Sequence, residues 1–128
     1  MANILDLIGR IFISALFLIS AFNKVFNLQG SMVWMEGFGV PGFLIFPAIA
    51  IEIILPVLVI VGYQARISAA ILAIFCILTA FIFHFDFSNQ SQFISFLKNI
   101  GLAGGFLFVV ANGTKDWAVD KEKKYVRL

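Results

Sequence analysis

Polar residues break an otherwise apolar chain at intervals that mark out four helices. Crossing the hydrocarbon of a bilayer takes about 20 mainly apolar residues at about 1.5 Å each. Four stretches have that length: 4–26, 43–62, 66–85 and 93–112. The connections between them differ in kind. "NLQGSMVWMEGFGVP" is long and rich in glycine, "GYQAR" is a tight turn, and "DFSNQSQ" is short and polar. A charged tail, 114–128, follows the fourth stretch. The pattern predicts an all-α fold, an integral membrane four-helix bundle whose second and third spans form an antiparallel hairpin. Met32, Trp34, Met35 and Phe38 would be poorly placed in water, so the first loop is expected to dip into the interface as a partial lid.

Within the spans the polar positions keep helical time. Arg10, Ser14, Phe17, Ala21 and Lys24 follow a four–three–four–three rhythm and share one face of the first helix, widened near its end by Ser20 and Asn23. Arg66, Ala70, Ala73, Ile77, Ala80 and His84 repeat that rhythm in the third span. Lys98, Gly101, Gly105, Val109 and Asn112 form a stripe in the fourth, where Gly101 and Gly105 permit close helix packing.

Composition fixes the surroundings. The 128 residues suggest one domain, 62% hydrophobic and 12% charged, where a soluble domain carries about 25% charged residues. A chain this small cannot bury that much apolar surface, so a lipid bilayer is the expected solvent. A net charge of +2 is too small and scattered for nucleic acid. The basic residues matter for direction instead. Arg66 lies at the tight turn, Lys115, Lys121, Lys123, Lys124 and Arg127 lie in the tail, and the other two loops have neither Lys nor Arg. The positive-inside rule therefore puts both termini in the cytoplasm of a bacterial cell, the protein being multi-pass in its inner membrane. Tyr63 and Trp117 fall where aromatics gather at the inner boundary. The first span reads as a retained helix: Asp6 precedes its first base, and its apolar run exceeds the ~7–15 residues of a signal core.

One residue disturbs the second span. In "AIAIEIILPVLVI" every residue but Glu52 is apolar. A carboxylate in hydrocarbon must neutralise or find a partner. Helical rise places Glu52 near the midplane, Lys98 about 8 Å in from the end of its own span, and His84, Asn23 and Lys24 at the same outer boundary. Glu52, Lys98, His84, Lys24, Asn23 and Asn99 are thus expected to converge on the outer half of the bundle. Lys98 is the expected partner of Glu52, with Arg10, in the inner half, as the runner-up. Two readings stand for each group: Lys24 could snorkel to the surface, His84 could be a wet neighbour of Asp86, and the Glu52 pair could serve only to fix helix packing. Pro47 and Pro56 bracket Glu52 and are expected to kink its helix and open a cavity.

Other chemistry is missing. Cys76 stands alone, which excludes an intrachain disulfide and a paired-cysteine thiol oxidase and leaves a small buried hydrophobe. His84 is the single histidine, and no phosphate loop, nucleophile elbow or HExxH motif occurs, so no intrinsic haem, metal or nucleotide is expected.

The ordered set "IGRIFISALFLISAFNKVFN", "GVPGFLIFPAIAIEIILPVLVIVGYQAR" and "FHFDFSNQSQFISFLKNIGLAGGFLFV" resembles the DoxX family of small four-helix membrane proteins, over nearly all of the chain up to Gly113. Arg10, Lys24, Glu52 with Gly62 and Arg66, and His84 ahead of "QFISFLKNIGLAGG" carry the likeness. Gly, common in the family where Ala21 or Phe22 stands, is absent. The resemblance implies the fold, and matches Arg10, Lys24, Glu52, His84, Lys98 and Asn99 by position without assigning them catalytic roles. Some members are associated with thiosulfate:quinone oxidoreductase or with membrane-bound oxidative-stress complexes.

Two functions compete. In the first, the chain is a redox-linked membrane subunit that binds a quinone or another small lipophilic ligand through Glu52, Lys98, His84, Lys24, Asn99, Asn23 and Arg10, with a protein partner supplying electrons. In the second, it is a scaffold or assembly anchor whose buried charges specify packing and whose tail docks a cytoplasmic partner. A channel ranks lower, because Phe17 interrupts the polar stripe of the first span; a homo-oligomer stays open.

Overall fold

The computed structural model describes residues 1–119. Four helices are long and apolar enough to cross a membrane. They are α1 (Ala2–Phe26), α3 (Ile45–Val61, led in by a 3-10 turn at Gly42–Leu44), α4 (Ala65–Phe83) and α5 (Gln90–Asn112); a shorter α2 (Leu28–Glu36) lies between α1 and α3. No strand occurs among the described residues.

The burial pattern is that of a protein dissolved in lipid. Around Phe17, Leu72 and Phe106 the centre is rich in small residues, with Ala21, Ala69, Ala73, Ala80, Ser14 and Ser68 all buried, while Phe12, Phe26, Phe46 and Phe108 point outward. Small central residues let helix backbones approach closely, and the large apolar side chains meet solvent that is itself apolar. In neighbour order the bundle runs α1, α3, α4, α5; α3 and α5 stand across the diagonal, their backbones nowhere within 8 Å. α1 and α5 close the ring only lightly. They come near each other at Gly105, where an added Cβ would lie 3.2 Å from Ile13 Cγ2. One turn nearer the start of α5, Gly101 has nothing within 4 Å.

The face read from sequence on α1 is the buried one: Arg10, Ser14, Phe17 and Ala21. On α4 the buried face is rotated from the expectation. Ala65, Ser68, Ala69, Leu72, Ala73, Cys76 and Ala80 are buried, whereas Ile77 is exposed and Arg66 and Ala70 only half-buried. No polar residue marks the middle of α4, so apolar spacing alone leaves its rotation open. Pro47 also departs from expectation. It stands in the first turn of α3, where a helix has no donor bond to lose, and only Pro56 lies inside the helix.

The end of the bundle near Arg10 is tied by hydrogen bonds. The last four carbonyls of any helix lack helical donors, yet all four of α3 are satisfied. Leu58 accepts from Gly62 N–H (2.9 Å) and Tyr63 N–H (3.0 Å), and Val61 accepts from Val119 N–H (2.8 Å). Val59 accepts from Arg10 Nη1 at 3.1 Å and Ile60 from the same nitrogen. Arg10 Nη2 donates to the Trp117 carbonyl, and Nε sits 3.0 Å from Asp6 Oδ2. Residues 113–119 fold back over this end, where Lys115 N–H donates to Asp6 and Asp116 N–H to Asn3. Lys121, Lys123, Lys124 and Arg127, the bulk of the predicted tail charge, lie outside the described residues.

Candidate functional site

At the opposite end the helices leave a cavity of about 480 Å³. Every helix contributes to it. α1 supplies Phe17, Ser20 and Lys24; α2 supplies Trp34 and Met35; α3 supplies Ala48, Ile51 and Glu52; α4 supplies Phe75, Thr79 and Phe83; and α5 supplies Ser95, Lys98, Asn99 and Leu102, with His84 beside them. The walls are mainly apolar, with a few polar groups, the usual make-up of a small-molecule site in this size range. Its base is aromatic: Phe17 is buried with ring centroids 6.2 Å from Phe75 and 5.6 Å from Phe106. Phe17 stands in sequence between the Arg10–Ser14 turns and the Ser20–Lys24 turn of α1, so it separates the two polar ends of that helix.

Glu52 finds its partner on α1. Lys24 Nζ lies 3.1 Å from Oε1 and 3.0 Å from Oε2, and also donates to Ser20 Oγ at 2.8 Å. The Ser20 hydroxyl donates to Oε1 at 3.2 Å. This corrects both expected pairings. Lys98 belongs to α5, diagonal to α3, so reach along the membrane normal does not help it. Arg10 is held at the far end by the α3 C-terminus, where a cation is favoured by the helix dipole and the free carbonyls. Lys24 therefore does not simply snorkel; it is 24% exposed while it neutralises a carboxylate that is 5% exposed.

Of the six residues expected to converge, Lys24, Glu52, His84, Lys98 and Asn99 line the cavity and Asn23 does not; Arg10, expected in the inner half yet also named as a ligand contact, does not line it either. Asn23 is exposed on the outer side of α1, one position before the buried stripe. His84 is partly buried, with Nδ1 2.7 Å from Gln92 Oε1. The side chains of Lys98 and Asn99 make no hydrogen bond or ion pair with any described residue.

The first loop supplies what spacing missed. α2 presses Met35 into the protein, and Trp34 stacks on Phe83 (4.7 Å between centroids) with Phe38 edge-on at 5.0 Å. The apolar loop anticipated as a dipping lid is a helix that walls one side of the cavity. Ser95 and Thr79 were likewise not foreseen. Thr79 returns its hydroxyl to the Phe75 carbonyl at 2.9 Å, as a threonine inside an apolar helix often does. No group of His, Cys, Asp and Glu among the described residues could hold a metal ion.

Comparison with known proteins finds relatives of this sequence. The family model described as DoxX matches residues 5–85. The inner membrane protein YqjF of Escherichia coli (strain K12) is 32% identical over 115 residues, 90% of this chain and 88% of the relative. The inner membrane protein YphA of the same organism is 28% identical over 125 residues, 92% of this chain and 89% of the relative. The likeness in α5, beyond the family match, is carried by these relatives. No solved structure matches the chain.

Proposed function

The chain belongs to the DoxX family, and on that premise we propose that it is a redox-linked subunit of the inner membrane that binds a quinone or another small lipophilic ligand in the Lys24–Glu52 cavity. One observation carries the reading: a membrane-embedded cavity of about 480 Å³ whose apolar walls converge on a carboxylate, two lysines, an amide and an imidazole. Quinone oxygens need hydrogen-bond donors, and Lys98 Nζ and the Asn99 amide offer them without losing a bond to the protein. Glu52, already held by Lys24 and Ser20, is the group able to take or give the proton that accompanies quinone reduction. Electrons are expected from a protein partner, since the sequence has one cysteine and one histidine and so no pair of either to hold a redox centre. Its N- and C-termini are then on the cytoplasmic side, by the distribution of Lys and Arg, and the cavity is in the outer half of the bundle.

The scaffold reading has one observation in its favour. Lys24 and Glu52 satisfy each other, as an ion pair that only fixed α1 against α3 would. A short-chain benzoquinone added to the purified protein in mild detergent separates the two. Ligand bound to the folded state raises stability by about 2.7 kcal/mol at a hundred times Kd. A higher Tm for the wild type, lost in Glu52→Gln and Lys98→Met variants that still fold, supports ligand binding. No shift, or the same shift in all three proteins, leaves the scaffold reading standing.

A further inference from the structure

Charge on the cavity wall is not balanced. Lys24 and Glu52 cancel, Asp86 and Glu36 are not part of the wall, and Lys98 remains as a positive group. No described side chain pairs with it, and its neighbours on the wall, Asn99 and Ser95, can donate hydrogen bonds to an oxygen anion. Lysine ammonium groups at membrane depth find a counter-charge or reach for water. Lys98 is eight residues into α5, about 12 Å along the helix from Gln90. Near it, a Cβ added at Gly101 would meet nothing within 4 Å, whereas one at Gly105 would lie 3.2 Å from Ile13 Cγ2.

We infer that the occupant of this cavity is an amphipathic organic acid, its anionic oxygen head on Lys98, Asn99 and Ser95 and its apolar body against Phe17, Phe75 and Leu102. The inference rests on the cavity being a ligand site, and adds the charge of the ligand to that reading. Glu52 does not repel such a head outright, because Lys24 holds both of its oxygens. Lys98 then sets specificity: it separates an acid from a neutral molecule of the same length.

Trp34 on the cavity wall reports binding. In a Trp117→Phe background it is the one remaining tryptophan, and bromine on a bound chain quenches it. Three probes are titrated into the protein in nonionic detergent: a bromoalkanoic acid, the bromoalcohol of equal chain length, and a bromoalkyl benzoquinone. The acid is expected to saturate at a concentration at least tenfold below the alcohol. Lys98→Met should remove that preference, and Lys98→Arg should restore it. Lys98 is exposed, so both variants are expected to fold, which their circular dichroism checks. Equal affinity for acid and alcohol overturns the inference, as does a preference that survives Lys98→Met. Saturable quenching by the quinone alone overturns it too, while leaving the proposed function in place. Quenching that never saturates with any probe removes both.

Discussion

At the residue scale the Lys24–Glu52 pair is asymmetric, and the asymmetry is testable. Glu52 is nearly inaccessible, whereas Lys24 keeps a quarter of its side chain exposed. Removing the lysine strands a buried carboxylate, and leaving one member of a buried pair uncompensated costs about 3–5 kcal/mol. Removing the carboxylate frees a lysine that can swing its ammonium outward along its own stem. Lys24→Met is therefore expected to lower Tm clearly more than Glu52→Gln, and the double variant should recover part of the loss. Equal losses from the two single changes would mean that the carboxylate is not buried as described.

A second residue, Arg10, lends itself to a prediction about an element. It supplies the donor for two of the four carbonyls that end α3 and a further bond that ties down residue 117. Hydrogen bonds from a charged donor contribute about 1.5–3 kcal/mol each. Arg10→Met should destabilise the bundle without touching the cavity, which lies at the other end of the polar stripe of α1. Gly62 closes the same helix with φ of +79°, and a Cβ there would collide with Ala118 Cβ. Gly62→Ala is expected to loosen residues 113–119 from α3, visible as faster proteolysis after Lys115, with ligand binding retained. Unchanged cleavage would show that this end is held by other contacts.

The same elements explain what could be read from sequence. The buried face of α1 was legible because charged residues, Arg10 and Lys24, flank small ones at helical spacing. α4 offered no such mark, so its rotation was missed by part of a turn. The helix α2 was hidden for a different reason. Its glycine, serine and methionine content reads as loop, and packing of Met35 and Trp34 against the bundle overrides that local preference. The partner of Glu52 was missed because depth along a helix was legible and neighbour order was not. Four spans can be arranged so that the second faces either the first or the fourth, and only the packed bundle shows α3 beside α1 and diagonal to α5. The convergence of Glu52, Lys98, His84 and Asn99 survived that error because a cavity gathers residues from all four helices.

For the whole molecule, two ends do different things. The Arg10 end is closed by backbone hydrogen bonds and by the returning chain, and the Lys24 end is open around a cavity, with the Phe17 cluster between them. A molecule so divided predicts a direction in the membrane: the basic Arg10 end in the cytoplasm and the cavity toward the outer face. A reporter active only outside the cytoplasm, fused after Asn112, should be silent, and one inserted at Asn89 should be active. The reverse result would invert the molecule and put the cavity within reach of cytoplasmic solutes.

Occupancy of the cavity is the point on which function turns, and filling it tests occupancy without altering any charge. Ala48 lines the cavity one turn before Glu52 on α3. The wild type and an Ala48→Phe variant would be purified alike in mild detergent, their melting compared, and their small-molecule extracts read by mass spectrometry. A ligand site predicts one lipophilic molecule in near-stoichiometric amount with the wild type, missing from a variant that melts at least as high. The same extract from both proteins, with Ala48→Phe as stable as the wild type, would contradict it.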